Sequence, residues 1–429
     1  MNDGWKETLS EAVDVLVVGG GTAGTAAAIQ AGRAGASTAL VEMSGQLGGT
    51  MTNGGVNFPG YFHAWGELQV GGIGWELVKE TKELAGEALP PVRNAEAQRP
   101  GNYIPFNMGL YAALAEEKAV EAGVALHYHE IVTGVERVGD AWRVRSVGKN
   151  VERTIDAREL IDCTGDADLV GMLGLARERG EVRQPGTLEF LLGGIDPTDF
   201  DAEQVDKAFA QAVKEGRLLP GDYSGMDARS FLFFLHERGR NQSHVPGADG
   251  STAARQSDAN TRGRQAFLRL FRFVRTLPGG ENVTLERMSP MTAIRETHRI
   301  VGEGRVTVDE YVAGRCFPDA IAYTAFFVDL HTDEGGTKQF LEPGTLPTIP
   351  FGALVPRGSR HLLVAGRTVS SDRGANAGMR EQPFCMAMGQ AAGAAAALAT
   401  QKGIASRDVD PDALRALLKA HGAIVPETT

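Results

Sequence analysis

Residues 13–42, VDVLVVGGGTAGTAAAIQAGRAGASTALVE, decide the fold. The apolar run 13–18 reads as a parallel strand buried on both faces. It runs into Gly19-Gly20-Gly21-Thr22-Ala23-Gly24, then an alanine-rich helix, then a second apolar strand that ends at Glu42. Gly19 permits the tight turn out of the strand, Gly21 lets backbone approach a pyrophosphate, and Gly24 lets the helix lie close to the sheet. Free N–H groups and the dipole at the helix start favour negative charge there. Glu42, eighteen residues after Gly24, stands where a carboxylate accepts hydrogen bonds from ribose hydroxyls. A glycine triplet alone is a weak sign, shared with glycine-rich turns of other α/β proteins. Strand, helix, second strand and terminal acid in register make it a dinucleotide-binding unit.

The 429 residues hold about two to three domains. A net charge of −11 argues against a general nucleic-acid binder. The opening MNDGWKETLSEAVD is polar and has no basic region followed by an apolar one, so no signal peptide is expected. No apolar run reaches membrane-spanning length; residues 385–399 come nearest but are short and rich in Ala and Gly. Cys163, Cys316 and Cys385 are far apart, odd in number and form no C-x-x-C, which fits a reducing cytoplasm. No metal-ligand cluster is visible. His127 and His129 alternate on an expected strand, and a surface or core role outweighs a ligand pair.

The glycine-rich stretch 45–55, GQLGGTMTNGG, suits backbone that passes close to a flat or anionic ligand. Residues 75–84 and 108–122 read as amphipathic helices, VALHYHEIV and AWRVRSV as strands, and ELIDCTG as a buried strand ending in a glycine turn. From residue 186 to 345 helical patterns dominate. The Arg-rich stretch 262–275 carries Phe267, Phe271 and Val274 on one face, so its arginines read as a solvated face rather than an anion patch. HLLVAG is then a strand, 367–382 a polar loop, and a helix starts at Pro383. The expected division is a nucleotide domain over 1–185, with 56–105 lining the active site, an inserted substrate lobe over 186–345, and the C-terminal part of the first domain over 346–429.

The opening motif suits NAD and FAD alike. Only one convincing fingerprint is present, since Gly71-Gly72-Ile73-Gly74 lacks a preceding strand and a following acid. The chain also closes with strand, glycine turn and helix: VAGRTVSSDRGANAGMREQPFCMAMGQAAGAAAALA. A helix start against the pyrimidine edge of a flavin stabilises negative charge on the reduced ring. Ala387, Gly389, Ala391, Ala392 and Gly393 permit close packing over the cofactor domain.

In these blocks, together with LVEMSGQLGGTMTNGG, LIDCTGDADL, IRETHRIVGE, FPDAIAYTAFFVDLH and IPFGALVPRG, the chain resembles the FAD-dependent oxidoreductase family related to the flavoprotein subunits of fumarate reductase and succinate dehydrogenase. The resemblance implies a Rossmann-like, three-layer ββα FAD-binding domain of the α/β class, with an inserted α+β substrate lobe. By position it implies that Gly19, Gly21, Thr22, Ala23, Gly24 and Glu42, with Met43 beside it, hold the ADP half of FAD. Val132 would offer its backbone to the adenine, and Thr164 and Gly165 would line the adenosine end. Gly48, Gly49 and Thr50, the Gly366-Arg367 turn, and the loop of Gly378, Met379 and Arg380 would flank the flavin. The family often carries arginine where this chain has His298, so no substrate is inferred from that position.

Among polar residues of these blocks, Arg295 suits a substrate carboxylate or developing negative charge; a salt bridge to Glu296 or Glu303 is the alternative. His298 would share its face if the segment is helical. His331 follows an apolar strand and would emerge where α/β sheets bind ligands, with a side chain suited to acid–base work. Arg380 is a further candidate, and Tyr323, Asn376 and His63 are weaker ones. The expected activity is hydride transfer between a small organic substrate and flavin N5, with an external electron donor or acceptor resetting the flavin. A flavin-dependent monooxygenase and a non-catalytic binding protein on the same scaffold are the alternatives. A homo-oligomer is compatible with the chain; a nucleic-acid partner and a membrane span are not expected.

Overall fold

The structure is a computed structural model that describes residues 6–92, 101–223, 230–332 and 335–427. Residues 1–5 of the polar N-terminal stretch, and 93–100 of the segment expected to line the active site, lie outside them.

Its centre is a sheet in which Val124–Tyr128, Thr38–Glu42, Glu7–Val18, Val151–Asp162 and Leu362–Val364 run parallel in that order. The opening strand has no apolar–polar alternation at its end because both faces are buried. Val15 and Val17 enter the core shared with the helices, and Leu16 and Val18 enter the core on the other side. Leu40, Ile161 and Leu363 follow the first pair, while Ala39, Leu160 and Leu362 follow the second. Each such fully buried aliphatic side chain contributes about 1.5–3 kcal/mol. The second layer is an antiparallel meander, Ile131–Val138 and Ala141–Gly148, carried by the first half of Val151–Asp162. The third layer is helical: Thr22–Arg33, Gly72–Leu84, Met108–Glu121 and the long C-terminal helix Gln382–Lys402. This is the Rossmann-like three-layer arrangement, and every parallel strand ends at the same edge of the sheet.

The opening helix and the C-terminal helix touch backbone to backbone. A Cβ on Gly389 would overlap the Ala23 carbonyl, and one on Gly393 would overlap that of Ala27. Buried Gln390 ties in a third helix: its Oε1 accepts from Ile73 N at 3.1 Å and its Nε2 donates to Gln30 Oε1 at 3.0 Å. Gly71 to Gly74 thus start a packed helix and face the C-terminal region, with Gly71 against Gly422 and Gly74 against Met386.

A separate core, Leu188 to Ile294, gathers Phe190, Phe234, Phe267 and Phe273 around the helix Ala253–Val274. The solvated reading of its arginines holds for Arg264, Arg272 and Arg275, which are exposed; Arg269 instead pairs with buried Asp222 at 2.6 Å. Val306, Tyr311, Phe326 and Leu341 pack into the helix-side core of the first domain, not into this one.

Two local expectations need correction. The stretch VALHYHEIV is two strands, because His129 adopts φ +59° and turns the chain into the meander. His127 and His129 therefore do not share a face; His127 Nε2 lies 2.6 Å from Glu11. Residues 367–382 are not all loop, since Arg373–Met379 is a helix whose N-terminus is capped by Asp372 through Ala375 N at 2.8 Å.

If the helix contact sets the distance between the two chain ends, Gly393→Val should destabilise the protein by at least about 1–3 kcal/mol, read as a lower thermal midpoint. An unchanged midpoint would show that the contact is slack.

Candidate active site

The glycines at the sheet edge divide by what surrounds them. Gly19 is at φ +98°, and a Cβ there would strike the Cys163 carbonyl. A Cβ on Gly24 would overlap the Gly19 carbonyl. Both are demanded by the protein itself. Gly21 is not: its φ is −72°, and a Cβ would meet nothing nearer than Gly49 Cα at 3.9 Å. It caps the opening helix without a side chain, so the first N–H groups of that helix face space the protein leaves open. That is a cradle for an anion.

The neighbouring parts converge there. Gly48 N donates to Gly20 O at 2.9 Å, and Gly49, at φ +51°, abuts Gly21. Glu42 is buried and its two oxygens accept from Gly20 N at 2.6 Å and Ser44 N at 2.7 Å. Those bonds hold the carboxylate at the strand end with lone pairs to spare. Met43 is exposed at the rim, and Val132 is the second residue of the meander strand Ile131–Val138. Asp162, fully buried, fixes the Thr164 side chain at 2.7 Å and caps the helix Asp168–Met172 through Leu169 N at 2.9 Å. Gly165 lies against the Arg367 guanidinium, and Gly366, at φ +97°, lies 3.4 Å from Ala23 when given a Cβ. Thr50 closes the loop: its carbonyl accepts from Val56 N at 3.0 Å. Gly378 has a packing reason of its own, since a Cβ would overlap the Tyr311 hydroxyl, and Met379 is fully buried.

A second assembly lies between this edge and the inserted lobe. His331 Nε2 is 2.7 Å from Asp329 Oδ2. Arg380 reaches the Asp329 carbonyl at 3.3 Å and the Gln184 side-chain oxygen at 3.4 Å, and the same oxygen accepts from His331 N at 3.1 Å. Arg295 Nη2 lies 3.3 Å from His244 Nε2, whose ring sits edge-on to His331 at 5.1 Å. Arg295 pairs with neither Glu296 nor Glu303. Glu296 accepts from Gln184 N at 2.6 Å and Arg373 Nε at 3.0 Å, and Glu303 pairs with Arg407 at 3.2 Å. Burial dominates the electrostatics. It pulls His331 down to about 4 and Arg295 down to about 10, with Arg380 adding to the latter. Desolvation also lifts Glu381 above the usual carboxyl range. Glu189, fully buried beside Ser289 and Gly55, is pushed up to about 8; Asn241 N donates to it at 2.7 Å and Arg287 stays 3.8 Å away. His331 Nδ1, Arg380 Nε and Glu189 Oε1 are buried and have no hydrogen-bond partner among the described residues.

Of the four residues expected to act on substrate, Arg295, His331 and Arg380 come together. His298 does not. Residues 294–298 are not helical, so Arg295 and His298 do not share a face; His298 instead faces Arg177, Arg179, Asp166 and Asp249. Asn376 donates to Arg367 O at 2.9 Å, Tyr323 lies on the strand Ala320–Tyr323, and His63 packs edge-on to Trp75 at 5.0 Å. Sequence reasoning missed Gln184, His244, Glu189 and Asp329. Asp329 was legible, because on a strand residues i and i+2 share a face; the other three had no local sign.

Among the described residues no helix is long and apolar enough to cross a membrane, and no group of three or more His, Cys, Asp or Glu is placed to hold a metal ion. The fold and the anion cradle at its edge define a dinucleotide-binding α/β protein. The chain belongs to the FAD dependent oxidoreductase family, which it matches over residues 14–418, and is thus an FAD-dependent oxidoreductase. No match was found among curated protein sequences. Among solved structures, a geranylgeranyl bacteriochlorophyll reductase-like protein from Thermoplasma acidophilum is 14% identical, with 96% of this chain and 83% of that one covered and a TM-score of 0.45. The p-nitrophenol 4-monooxygenase of Pseudomonas putida DLL-E4 is 11% identical over 96% and 84%, with a TM-score of 0.45. The anhydrotetracycline hydroxylase of Streptomyces rimosus is 18% identical over 42% of this chain, with a TM-score of 0.30, and the match spans 38% of its length. Likeness at this level bears on no reaction.

Glu189 and His331 should shift stability with pH in opposite senses. The raised folded value of Glu189 gives stability that is complete below its unfolded value of 4.5 and lost as pH rises through about 8. The lowered folded value of His331 gives stability present above 6.5 and lost as pH falls toward about 4. Glu189→Gln should therefore gain on the wild type in thermal midpoint between about pH 5 and about pH 9; a pH-independent difference would contradict a buried neutral acid.

Proposed function

We propose that the protein transfers a hydride between a small organic substrate and FAD, as a dehydrogenase or reductase, with His331 and Asp329 handling the proton and Arg295 and Arg380 countering negative charge. The observation that carries this reading is the His331–Asp329 pair. Asp329 lies below the usual carboxyl range, because hydrogen bonding from His331 and the charge of Arg380 outweigh its burial. An ionised carboxylate only accepts, so Nε2 donates to it and the lone pair sits on Nδ1. That nitrogen has no partner among the described residues. The imidazole is neutral near neutrality, so Nδ1 is free to accept a proton, and negative charge arriving with a substrate raises its low affinity for one. The guanidinium groups of Arg295 and Arg380, whose charges act on His331, lower the cost of negative charge on whatever loses that proton.

The residues present fit the cofactor. In the proposed arrangement Gly19, Gly21, Thr22, Ala23 and Gly24 hold the pyrophosphate, Glu42 the ribose, Met43 and Val132 the adenine, and Thr164 and Gly165 the adenosine end. Gly48, Gly49, Thr50, Gly366, Arg367, Gly378 and Met379 flank the flavin. FAD, when bound, supplies hydride chemistry at N5. A kinship with the fumarate reductase and succinate dehydrogenase flavoprotein subunits, supported by the seven sequence blocks, belongs to the same reading, as do an external electron partner and a cytoplasmic setting. The free state of Cys163, Cys316 and Cys385 supports that setting. The reading of a discontinuous cofactor domain with a lobe inserted from 186 to 345 is supported by the separate core of Leu188 to Ile294 for the first part of that lobe alone, since Val306 to Leu341 pack into the core of the cofactor domain.

Two experiments test these assignments. Gly21→Ala should leave the stability of the apoprotein unchanged yet weaken FAD, because its Cβ meets only the open space of the cradle; Glu42→Ala should weaken FAD by roughly 1–3 kcal/mol. Equal FAD affinity in both variants, read by fluorescence titration, removes the ribose and pyrophosphate assignments. His331→Ala should stay yellow while flavin reduction by substrate, mixed anaerobically, slows by about 10²–10⁴-fold. A wild-type rate removes the proton assignment, and a flavin that substrate alone never reduces, but that turns over with reductant and oxygen, marks a hydroxylase.

A further inference from the structure

We propose that the cleft lined by Arg179, Arg183 and Arg255 is a binding site for an oxyanion, the phosphate or carboxylate group of a small ligand, set outside the buried His331 assembly. This inference does not rest on the proposed reaction. The cleft has a volume of ≈ 650 Å³. At its floor, Asp249 is almost fully buried, and its Oδ2 lies 2.5 Å from Arg179 Nη2, 3.0 Å from Arg255 Nη1 and 3.9 Å from Arg183 Nη2. Ser251 Oγ accepts from Arg179 at 2.9 Å and from Arg255 at 3.0 Å, and Ser251 N donates to Asp249 Oδ1 at 3.0 Å. The carboxylate and hydroxyl thus hold two guanidinium groups in fixed positions, with further N–H groups available to a ligand.

Charge does not balance within the cleft. Asp258 is matched by Arg262 at 2.8 Å. Asp249 and exposed Glu181 then stand against Arg179, Arg183 and Arg255, which leaves one positive charge. It falls on Arg183, whose nearest carboxylate among the described residues is the 3.9 Å contact and whose Nε is buried with no hydrogen-bond partner among them. A guanidinium in that state gains more from an incoming anion than one already satisfied. The helix Ala253–Val274 also begins in this wall, and its positive end favours the same charge.

The walls connect the cleft to the buried assembly. Arg183 is followed by Gln184, which receives the N–H groups of His331 and Arg380. The segment from Gly247 to Asp249 follows His244, which lies against Arg295. An anion held here sits at the outer end of two chain segments whose inner residues face the proposed chemistry.

The test is calorimetric titration of the FAD-loaded protein with inorganic phosphate, and separately with acetate, at low and matched ionic strength. Saturable binding is expected, weakened about tenfold or more by Arg183→Ala and by Arg255→Ala, since each removes a charge-assisted hydrogen bond to the anion. Arg272→Ala, an exposed change further along the same helix, should leave it intact. Preference for phosphate assigns the site to a phosphorylated ligand, and equal binding of acetate to a carboxylate. Arg255 is largely exposed, so its variant reports even if Arg183→Ala lowers stability. No saturable binding of either anion, or binding that ignores both cleft substitutions, overturns the proposal.

Discussion

Two helices separated by more than three hundred residues meet with no side chain between them. Gly389 and Gly393 face the carbonyls of Ala23 and Ala27, so the C-terminal helix lies as close to the opening helix as backbone allows. The position of everything joined to these helices follows from that distance. The Gly366 turn comes against Ala23, and the helix Arg373–Met379 and Arg380 are delivered to the edge where the parallel strands end. Interiors are packed like crystals and transmit displacement rather than absorb it. A side chain inserted at Gly393 would therefore move the loops of the site as well as the helix.

The assembly around His331 shows what burial does to charge. Two guanidinium groups, two carboxyl groups and two imidazoles share a space largely shielded from water, with His244, His331 and Asp329 buried and Arg295, Arg380 and Glu381 partly so. The cost of ionising groups there is met unequally. Asp329, hydrogen-bonded to His331 and close to Arg380, is held below its usual range, and burial holds His331 and His244 below theirs. Opposite environments acting on neighbouring titratable groups separate proton acceptors from charge stabilisers. The cleft around Asp249 follows the reverse rule: hydrogen bonds from Ser251 and from Arg179, with the charge of Arg179, outweigh desolvation and hold that carboxylate well below its usual range, although it too is almost buried.

What the sequence by itself determined is local. Glycine types, apolar runs and a terminal acid at a set spacing specify the strand–helix–strand unit, because turn geometry, burial on both faces and helix capping act over a few residues. The cradle at Gly21 and the acid at Glu42 were legible for that reason, as was the helix that starts beside Pro383. The Asp329–His331 pair was open to the same reading through the period of a strand. Tertiary structure decided the rest. That Arg295 meets His244 rather than Glu296, that His298 lies among the charges of Arg177, Arg179, Asp166 and Asp249, and that Glu189 lies sealed against Gly55 depend on contacts between segments tens to hundreds of residues apart. No periodicity encodes these contacts, since they arise only when the lobe with its own aromatic core is placed against the sheet edge. The charge states follow from that placement too, because desolvation belongs to the packed molecule and not to any stretch of its chain.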